Sequence, residues 1–532
     1  MKHTLFLLLF VAAASLSAQD WIARYSTGAE DHDYARGLAV DLQGNSYVVG
    51  QAWGIALVKY TPGGETAWTR AYGEERFSDF GGMSAVVTRD NGIVVVAEVY
   101  ESGQNGFSLR KYDLDGGVLW DTVYWHSSAG EPVGTYHVRA VTDASKAIYV
   151  TGSALASETQ TDIVTCRFDS SGGLDWARIV DGPRHTFDDG QDIALDASGN
   201  VLVSATSVGL NDRLNAVVLK YSPDGTPLWT YTYLPNSNWE SQGRDIAARN
   251  GNEVYMSAWG HDVTGGPDEC LLLKLSSTGD TLWTRTDSGS SLNTWASLAV
   301  DTSGNAYVVG SYGRTMRTRK YSASGSLLWK ADYWAVDTTH ASGILATLSS
   351  DQGVYTTGGR YAGIGEYDFL VVRYTSGGQP LWHAFDDSSD YCNNTPADAA
   401  VDPSGNIVVA GRSEHLQVSQ DDFITMKFRA SGAVEEQPKT PVEDEYVILA
   451  SPSIVSNRCR FTVPAGERQS VLTIADITGR TVRGIPVSAG RAGDRVSVTW
   501  DMRDEHGQPV PNGVYFARVA QAQAVCRVIV TR

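Results

Sequence analysis

A unit of 46 to 56 residues, measured from one tryptophan to the next, recurs along most of this chain. Its clearest copy is Leu298–Trp329, which reads LAVDTSGNAYVVGSYGRTMRTRKYSASGSLLW. Two-residue alternation, β-branched and aromatic residues, and Gly or Asn between the runs are typical of strands and hairpins. This copy therefore predicts four antiparallel strands at Leu298–Asp301, Ala306–Ser311, Thr315–Tyr321 and Leu327–Tyr333.

The copies share a glycine followed four residues later by a tryptophan, and the last copy breaks this rule with Glu436. The glycines are Gly64, Gly116, Gly172, Gly225, Gly279, Gly325, Gly378 and Gly432. The tryptophans that follow them are Trp68, Trp120, Trp176, Trp229, Trp283, Trp329 and Trp382. The missing tryptophan is Trp21 near the N-terminus, which has no glycine four residues before it. An array that completes its last unit with its first segment is circular. We therefore predict an all-β fold: an eight-bladed β-propeller of four-stranded blades over residues 19–434. An N-terminal strand closes the ring.

Four copies place the turn sequence D-x-x-G-N after the first strand. These turns are Asp41–Asn45, Asp196–Asn200, Asp301–Asn305 and Asp402–Asn406. One interpretation is calcium binding by Asp and Asn oxygens. The other is a tight hairpin in which Gly and Asn adopt left-handed angles. We favour the hairpin, because each turn has only one carboxylate.

The tryptophans also have two interpretations. One per blade, on the outer strand, predicts packing between neighbouring blades, and the alternative is a ring of exposed tryptophans that stack on sugars. A basic residue precedes the aromatic position of each copy, as in Lys59, Lys220 and Lys320, and an acidic or amide residue often stands five positions earlier. Those residues are Asp162, Asn215, Glu269, Asp368 and Asp422. An extended strand keeps the two apart, so we interpret both as solvated blade surface.

The N-terminus predicts export. Residues 1–18 have one Lys, an apolar run and a small-residue end, which is typical of a secretory signal peptide. No later stretch has the ~18 consecutive apolar residues of a membrane span. Removing Lys2 with the signal changes the formal net charge from −19 to −20. Such an acidic protein is expected to be soluble and to have no nucleic-acid partner.

The repeat stops at a Pro- and charge-rich segment, residues 435–445, which we interpret as a linker. Residues 446–532 form a second unit with predicted strands at Arg460–Val463, Ser470–Asp476, Arg495–Trp500 and Gly513–Ala520. Gly479 and Gly507 are expected in its hairpin turns, and Trp500 and Tyr515 in its core. Cys459 and Cys526 are predicted to form a disulfide if their strands bring the Cα atoms within ~7 Å. The chain has five cysteines, so at least one, among Cys166, Cys270 and Cys392, is unpaired or bridges two chains.

Both units resemble known families. The pieces D-x-x-G-N-x-Y-V-x-G and K-Y-x-x-x-G-x-x-x-W resemble the bacterial β-propeller repeat family, whose usual name implies seven blades as the alternative to eight. The strings IADITGRTVR (474–483) and WDMRDEHGQPVPNGVYFARV (500–519) resemble the C-terminal Ig-like sorting domain of type IX secretion and the related Ig-like module of flagellar hook-capping proteins. The second resemblance implies an Ig-like β-sandwich at 446–532 and the secretion machinery as a partner.

No GxSxG, HExxH, P-loop or dinucleotide motif is present in the sequence, and no cofactor or metal is predicted. We therefore expect a secreted or surface-attached scaffold for binding or adhesion, with an extracellular carbohydrate-active enzyme, a lyase or hydrolase, as the alternative. The second-to-third connection varies in length between repeats, and variable loops usually carry recognition. Candidate ligand-binding aromatics on that face, for a glycan or a protein, are Trp125, Trp239, Trp295, Trp334, Tyr361 and Tyr367.

Overall fold

A computed structural model describes the chain from residue 19 to residue 530 with gaps. The described ranges are 19–27, 33–52, 54–73, 83–90, 92–101, 104–125, 137–157, 160–249, 251–288, 294–312, 315–333, 341–348, 353–363, 366–385, 392–415, 420–431, 449–451, 454–455, 458–464, 470–476, 480–488, 495–519 and 525–530. The predicted signal peptide (1–18) and linker (435–445) lie outside these ranges. Regular structure in them is entirely β-strand, and no helix suited to crossing a bilayer occurs among the residues searched.

The strands of the first unit form eight antiparallel four-stranded sheets, which we number as blades 1 to 8 in chain order. The first strand of the chain, β1 (Gln19–Tyr25), belongs to blade 8. Blades 1 to 4 are β2 (Tyr34–Val40), β3 (Ser46–Gln51), β4 (Ile55–Tyr60), β5 (Thr66–Tyr72); β6 (Met83–Val87), β7 (Ile93–Glu101), β8 (Gln104–Tyr112), β9 (Val118–Trp125); β10 (Arg139–Thr142), β11 (Ile148–Ser157), β12 (Gln160–Phe168), β13 (Leu174–Val180); and β14 (Asp188–Leu195), β15 (Val201–Val208), β16 (Leu214–Tyr221), β17 (Pro227–Thr232).

Blades 5 to 7 repeat the same up-and-down order, and blade 8 takes its last strand from the N-terminus. These blades are β18 (Trp239–Arg249), β19 (Glu253–Asp262), β20 (Glu269–Leu275), β21 (Thr281–Ser288); β22 (Thr294–Val300), β23 (Ala306–Tyr312), β24 (Thr315–Tyr321), β25 (Leu327–Tyr333); β26 (Ala341–Leu348), β27 (Val354–Gly363), β28 (Glu366–Tyr374), β29 (Pro380–Phe385); and β30 (Cys392–Val401), β31 (Ile407–His415), β32 (Gln420–Phe428) with β1.

The closure of the ring is confirmed. Strand β1 pairs antiparallel with β32, with Trp21 opposite Lys427 and Tyr25 opposite Phe423. Asp20 of β1 also accepts a hydrogen bond from Arg429 at 2.7 Å. The blade count is therefore eight, and the alternative of seven is wrong.

The core lies between neighbouring blades and consists mainly of side chains from their middle strands. Val49 and Leu57 of blade 1 pack with Val95 of blade 2 in one buried cluster. An equivalent cluster joins blade 8 to blade 1, with Val408 against Val48. The middle strands are buried on both faces, so their sequences read as nearly continuous apolar runs such as YVVG.

All eight repeat tryptophans join neighbouring blades, as predicted. Each indole Nε1–H donates to a backbone carbonyl of the next blade at 2.9–3.2 Å; the carbonyl lies in the third-to-fourth turn in seven cases and just after β32 in blade 8. The donors and acceptors are Trp21–Pro62, Trp68–Leu114, Trp120–Ser170, Trp176–Pro223, Trp229–Ser277, Trp283–Ala323, Trp329–Ser376 and Trp382–Ala430. The turn glycine makes room for the ring: Gly64 has a φ of +87°, and a Cβ there would lie 2.5 Å from Cγ of Trp21.

The prediction that the repeat lysines are solvated is wrong. Lys220 is 3% exposed, and its ammonium lies 2.9 Å from the Asp196 carboxylate and 3.3 Å from the Ser277 carbonyl that also accepts from Trp229. Four further lysines share a carbonyl with a tryptophan in the same way. They are Lys59, Lys274, Lys320 and Lys427. All five lysines thus contact a carbonyl of the next blade, and Lys220, Lys274, Lys320 and Lys427 also pair with an acid of their own blade.

The D-x-x-G-N turns are structural, and the calcium interpretation is wrong for them. The Asp196 carboxylate accepts hydrogen bonds from the backbone N–H groups of Ser198 and Asn200, from the Asn200 amide and from Lys220. Burial alone would raise the pKa of Asp196, but the contacts with Asn200 and Lys220 outweigh it and lower that pKa. A carboxylate so occupied, next to an ammonium, cannot also ligate a cation. The glycine of each turn is left-handed, as expected, whereas the asparagine instead hydrogen-bonds the aspartate.

The second compact unit comprises residues 438–532. Its strands are β33 (Leu449–Ser451), β34 (Ile454–Val455), β35 (Cys459–Pro464), β36 (Ser470–Asp476), β37 (Thr481–Val487), β38 (Arg495–Trp500), β39 (Gly513–Val519) and β40 (Val525–Val530). They form a three-stranded sheet, β33-β35-β38, and a five-stranded sheet, β34-β40-β39-β36-β37. Trp500 and Tyr515 are buried in its core with ring centroids 5.3 Å apart, as predicted, and Gly507 is left-handed. Gly479 lies outside the described residues.

The proposed disulfide is still a prediction. Cys459 is buried in the core of this unit, in the three-stranded sheet, and Cys526 lies in β40 of the five-stranded sheet. The side chain of Cys526 is outside the described part of the chain. In the propeller, Cys166 and Cys270 are free thiols, and burial raises the pKa of both.

Candidate functional site: the variable face

The two ends of the propeller differ. The first-to-second and third-to-fourth turns emerge at one end, which we call the turn face, and the remaining connections emerge at the other, which we call the variable face. Part of the difference between blades on the variable face is in strand length. Strand β3 has 6 residues, whereas β27 has 10. The extra residues predicted as loop therefore extend the hairpins.

Four of the six candidate aromatics lie at strand ends on the variable face. Trp125 ends β9 and is half-buried, and Trp295 lies near the start of β22. Tyr361 of β27 and Tyr367 of β28 are cross-strand partners, and Tyr367 is 39% exposed. These residues belong to blades 2, 6 and 7, so only the two tyrosines are brought together. Trp334 lies outside the described residues.

Trp239 is not an exposed loop residue, contrary to the prediction. It begins β18 and is 8% exposed, because the innermost strand of blade 5 extends further than the repeat predicts. Its ring packs edge-on to Tyr233, with centroids 6.2 Å apart. Gly260 permits this position, since a Cβ there would lie 2.8 Å from the indole Nε1.

Three aspartates of the innermost strands link neighbouring blades around the axis. Each Oδ2 accepts a hydrogen bond from a backbone N–H in the innermost strand of the next blade, at 2.8–3.0 Å. The pairs are Asp192–Ile246, Asp245–Leu298 and Asp398–Leu38. Burial and then the neighbouring Asp245 raise the pKa of Asp192 well above its usual range, and burial raises that of Asp398. These carboxylates have a structural role that the sequence pattern did not reveal.

A second polar group lies near the start of β14. The Asp189 carboxylate accepts hydrogen bonds from the Ser153 hydroxyl and the Gln191 amide, and His137 Nδ1 lies 3.4 Å from it. A nucleophilic serine needs its hydroxyl hydrogen-bonded to the histidine base, but this serine donates to the carboxylate. The group is therefore not a hydrolase triad.

The third group is an acidic cluster where blade 3 meets blade 4. It combines Asp162 of β12, Asp181 from the connection after β13, and Asp188 at the start of β14, and their oxygens lie within 4.8 Å of one another. Burial, followed by the charges of Asp181 and Asp188, raises the pKa of Asp162 to about 6. His185 contacts Asp181, which raises the pKa of the imidazole. The repeat pattern predicts Asp162 only as a surface acid and does not predict the cluster.

Two family matches fit this architecture. Residues 20–55 match the beta-propeller repeat family, and residues 455–524 match the FlgD Ig-like domain. The first match begins with β1 and extends into blade 1, so it includes the strand that closes the ring. A comparison with curated proteins finds no match.

Solved structures share only the general fold. The polysaccharide lyase Uly1 is 10% identical, with a TM-score of 0.43 over 78% of this chain and 100% of that one. The Pan2 WD40 domain of Neurospora crassa is 9% identical, with a TM-score of 0.39 over 78% and 97%. A protein of unknown function from Bacteroides caccae is 11% identical, with a TM-score of 0.32 over 57% and 94%. At these values the similarities imply nothing about activity.

Proposed function

We propose that this protein is exported and acts by binding an extracellular glycan or protein on the variable face of its propeller. The observation that supports this best is the contrast between the two faces. The recurring residues of the repeat act at the turn face, where Trp and Lys contact the next blade and Asp binds the Lys of its own blade. Side chains such as Tyr367 and Trp125, which this network does not require, lie on the variable face.

Aromatic side chains at such positions are suited to recognition. Tyr367 exposes 39% of its surface beside Tyr361, and an exposed aromatic face can stack on a sugar or anchor a peptide. The rigid sheets hold these residues in place without help from a ligand, which lowers the entropic cost of binding.

We also propose how the protein reaches its place of action. Residues 1–18 would direct export, and residues 446–532 would act as a sorting domain of type IX secretion that engages the secretion machinery and leaves the protein secreted or on the cell surface. The support is the pattern of the N-terminus and the similarity of residues 455–524 to the FlgD Ig-like domain. Truncation after Thr440, in a host with type IX secretion, is expected to abolish surface display. Normal display of the truncated protein would exclude the sorting role.

The binding proposal is tested by screening the full-length protein on glycan and protein arrays, then measuring affinity for the hit by calorimetry. The double variant Trp125→Ala/Tyr367→Ala is expected to weaken binding about tenfold or more. Leu42→Ala, at an 81% exposed position of a turn-face hairpin, is the control and should bind normally. Full affinity in the double variant, or a footprint confined to the turn face, would contradict the proposal.

The second candidate is a carbohydrate-active enzyme, and one observation favours it. Asp162 and Asp181 lie close together and the pKa of Asp162 is raised to about 6, as in a general acid. However, glycosidase carboxyl groups flank the substrate bond at ~5–10 Å, whereas this cluster is tighter and Asp188 is 1% exposed. Binding is therefore the better proposal. The enzyme proposal would be favoured over binding if the protein released reducing ends or unsaturated products from a polysaccharide and Asp162→Asn abolished that release.

A further inference from the structure

Six innermost strands of the described chain contain a β-bulge, a distortion that re-aims a side chain. In β14 the register shifts between Gly190 and Asp192, and in β18 it shifts between Gly243 and Ile246, a step that includes Asp245. The bulges direct both aspartates to the innermost strand of the next blade, where each Oδ2 accepts a backbone hydrogen bond.

At the joint between blades 5 and 6, the aspartate meets a side chain that carries its own proton. Asp245 Oδ2 accepts from the backbone N–H of Leu298 and from the Ser297 hydroxyl, both at 2.8 Å. Ser297 directly precedes Leu298, just as Asp245 directly precedes Ile246 in the strand before. Because a hydroxyl is a donor as well as an acceptor, this joint needs no added proton.

At the joint between blades 4 and 5, the same position holds a second acid instead of the hydroxyl. Asp192 Oδ2 accepts from the N–H of Ile246 at 3.0 Å, and Asp245 is the residue before Ile246, so the two carboxyl groups lie side by side and hydrogen-bond each other. Ionised carboxylates have only acceptor atoms. One of the two groups must therefore carry a proton for this hydrogen bond to form.

The surroundings of the pair favour the proton. Both aspartates are half-buried because they line the axis of the ring, yet protein surrounds Asp192. Burial raises the pKa of Asp192 most, followed by the charge and the hydrogen bond of Asp245, and together they outweigh the opposing N–H of Ile246. A second negative charge at this joint is thus unfavourable.

The charged groups on neighbouring elements do not reverse this. Arg139, from the innermost strand of blade 3, lowers the pKa of Asp192, but its charge also acts on Asp398 of blade 8. Asp398 is in turn close enough to Asp245 for the two charges to repel. The charge of Arg244, in β18, acts on Asp189, and His137 Nδ1 lies 3.4 Å from that same carboxylate.

We propose that a proton shared by Asp192 and Asp245 closes the joint between blades 4 and 5 and makes this joint sensitive to pH. Above the ordinary aspartate pKa of ~3.9, the folded protein keeps a proton that the unfolded chain releases. The contribution of the pair to stability is therefore complete in acid and is lost as the pH rises through the raised pKa of Asp192. Deprotonation leaves two like charges in contact and weakens the packing of β14 against β18. This property is independent of ligand binding by Trp125 and Tyr367.

The test compares the full-length wild type with Asp192→Asn in urea unfolding between about pH 5 and pH 9. The introduced amide keeps an oxygen for the N–H of Ile246, and its nitrogen donates to Asp245 without a bound proton. We expect the free energy of unfolding of the variant to fall less steeply with pH, by a slope equivalent to about one proton. Infrared spectra at neutral pH should show a protonated carboxyl band in the wild type that Asp192→Asn lacks.

Asp245→Asn is the second variant, should Asp192→Asn fail to fold. Its amide oxygen can still accept from Ser297 and Leu298, and it should reduce the pH dependence in the same way. The control is Asp224→Asn, an exposed turn-face acid whose pKa the Ser222 hydroxyl lowers, and it should leave the slope in this pH range unchanged. A wild-type slope in both joint variants, or an infrared band that Asp192→Asn leaves unaltered, would overturn the proposal.

Discussion

The turn face and the variable face of the propeller are built from the same strands but follow different rules. At the turn face, every blade repeats one bond, from a tryptophan to a carbonyl of the next blade, including the joint between blade 8 and blade 1. At the variable face, the blades differ: an acidic cluster lies where blades 3 and 4 meet, and a tyrosine pair lies on blade 7. The recurring residues of the repeat thus encode closure of the ring, whereas the residues outside the repeat differ from blade to blade.

The chemistry of the turn face explains why its residues recur. One carbonyl, such as Ser277 O, accepts from both a tryptophan and a buried lysine, and the lysine is neutralised by an aspartate of its own blade. A buried ammonium is tolerated only with such partners, so the aspartate, lysine and tryptophan depend on one another. A change at one position of this network is therefore costly.

The largest effect is expected from removing the strand that closes the ring. Deleting residues 19–27 takes away β1, including Trp21 and the pairing with β32. Blade 8 then exposes the edge and one face of β32, so the cooperative unfolding transition of the propeller should be lost or shifted down steeply. Calorimetry of the deleted and intact proteins checks this. An unchanged melting temperature would show that closure is made in another way.

A smaller but still large effect is expected at a single buried lysine. Lys220→Met leaves the fully buried Asp196 side chain without its ammonium, and breaking a buried pair from one side costs about 3–5 kcal/mol. Urea unfolding followed by tryptophan fluorescence measures it. The control, Lys330→Met, removes an exposed lysine and should change stability by less than about 0.5 kcal/mol. Equal effects of the two substitutions would show that the buried lysine network contributes no more to stability than an exposed lysine does.

The smallest effect is expected on the variable face. Tyr367→Ala removes a side chain that is 39% exposed, so the free energy of unfolding should change by less than about 1 kcal/mol. The same urea titration gives this value. A loss as large as that of Lys220→Met would mean that the tyrosine pair holds the blade together and is not free for recognition.

Much of the fold could be predicted from the sequence, because local pattern and repeat spacing agree. Strands β24 and β25 were predicted with their observed bounds, since alternation and flanking turns define both ends. Strand β22 begins at Thr294, four residues before the predicted start at Leu298. A bulge between Trp295 and Ser297 interrupts its pairing, and a change of register of this kind hides a strand from pattern analysis.

The errors at the site have a different cause, because they concern contacts between distant segments. The position of Lys220 predicts a solvated side chain, but the folded ring places its ammonium against Asp196 of its own blade and Ser277 O of the next. Likewise, the acidic cluster joins Asp162 with residues from the connection between two blades, a juxtaposition that only the folded ring creates. Sequence periodicity predicts which strands form, but not which side chains meet where blades touch.

The most direct test of the closure mechanism compares the same substitution at two joints. Trp21→Phe and Trp229→Phe each remove one indole hydrogen bond to the next blade, made at 3.0 Å to Pro62 O and at 2.9 Å to Ser277 O, while a lysine still donates to each carbonyl. The measurement is the free energy of unfolding in urea for both variants. If blade 8 is joined to blade 1 like any other two neighbouring blades, both substitutions lower this free energy by about 1–2 kcal/mol. A neutral Trp21→Phe beside a destabilising Trp229→Phe would contradict closure by this bond.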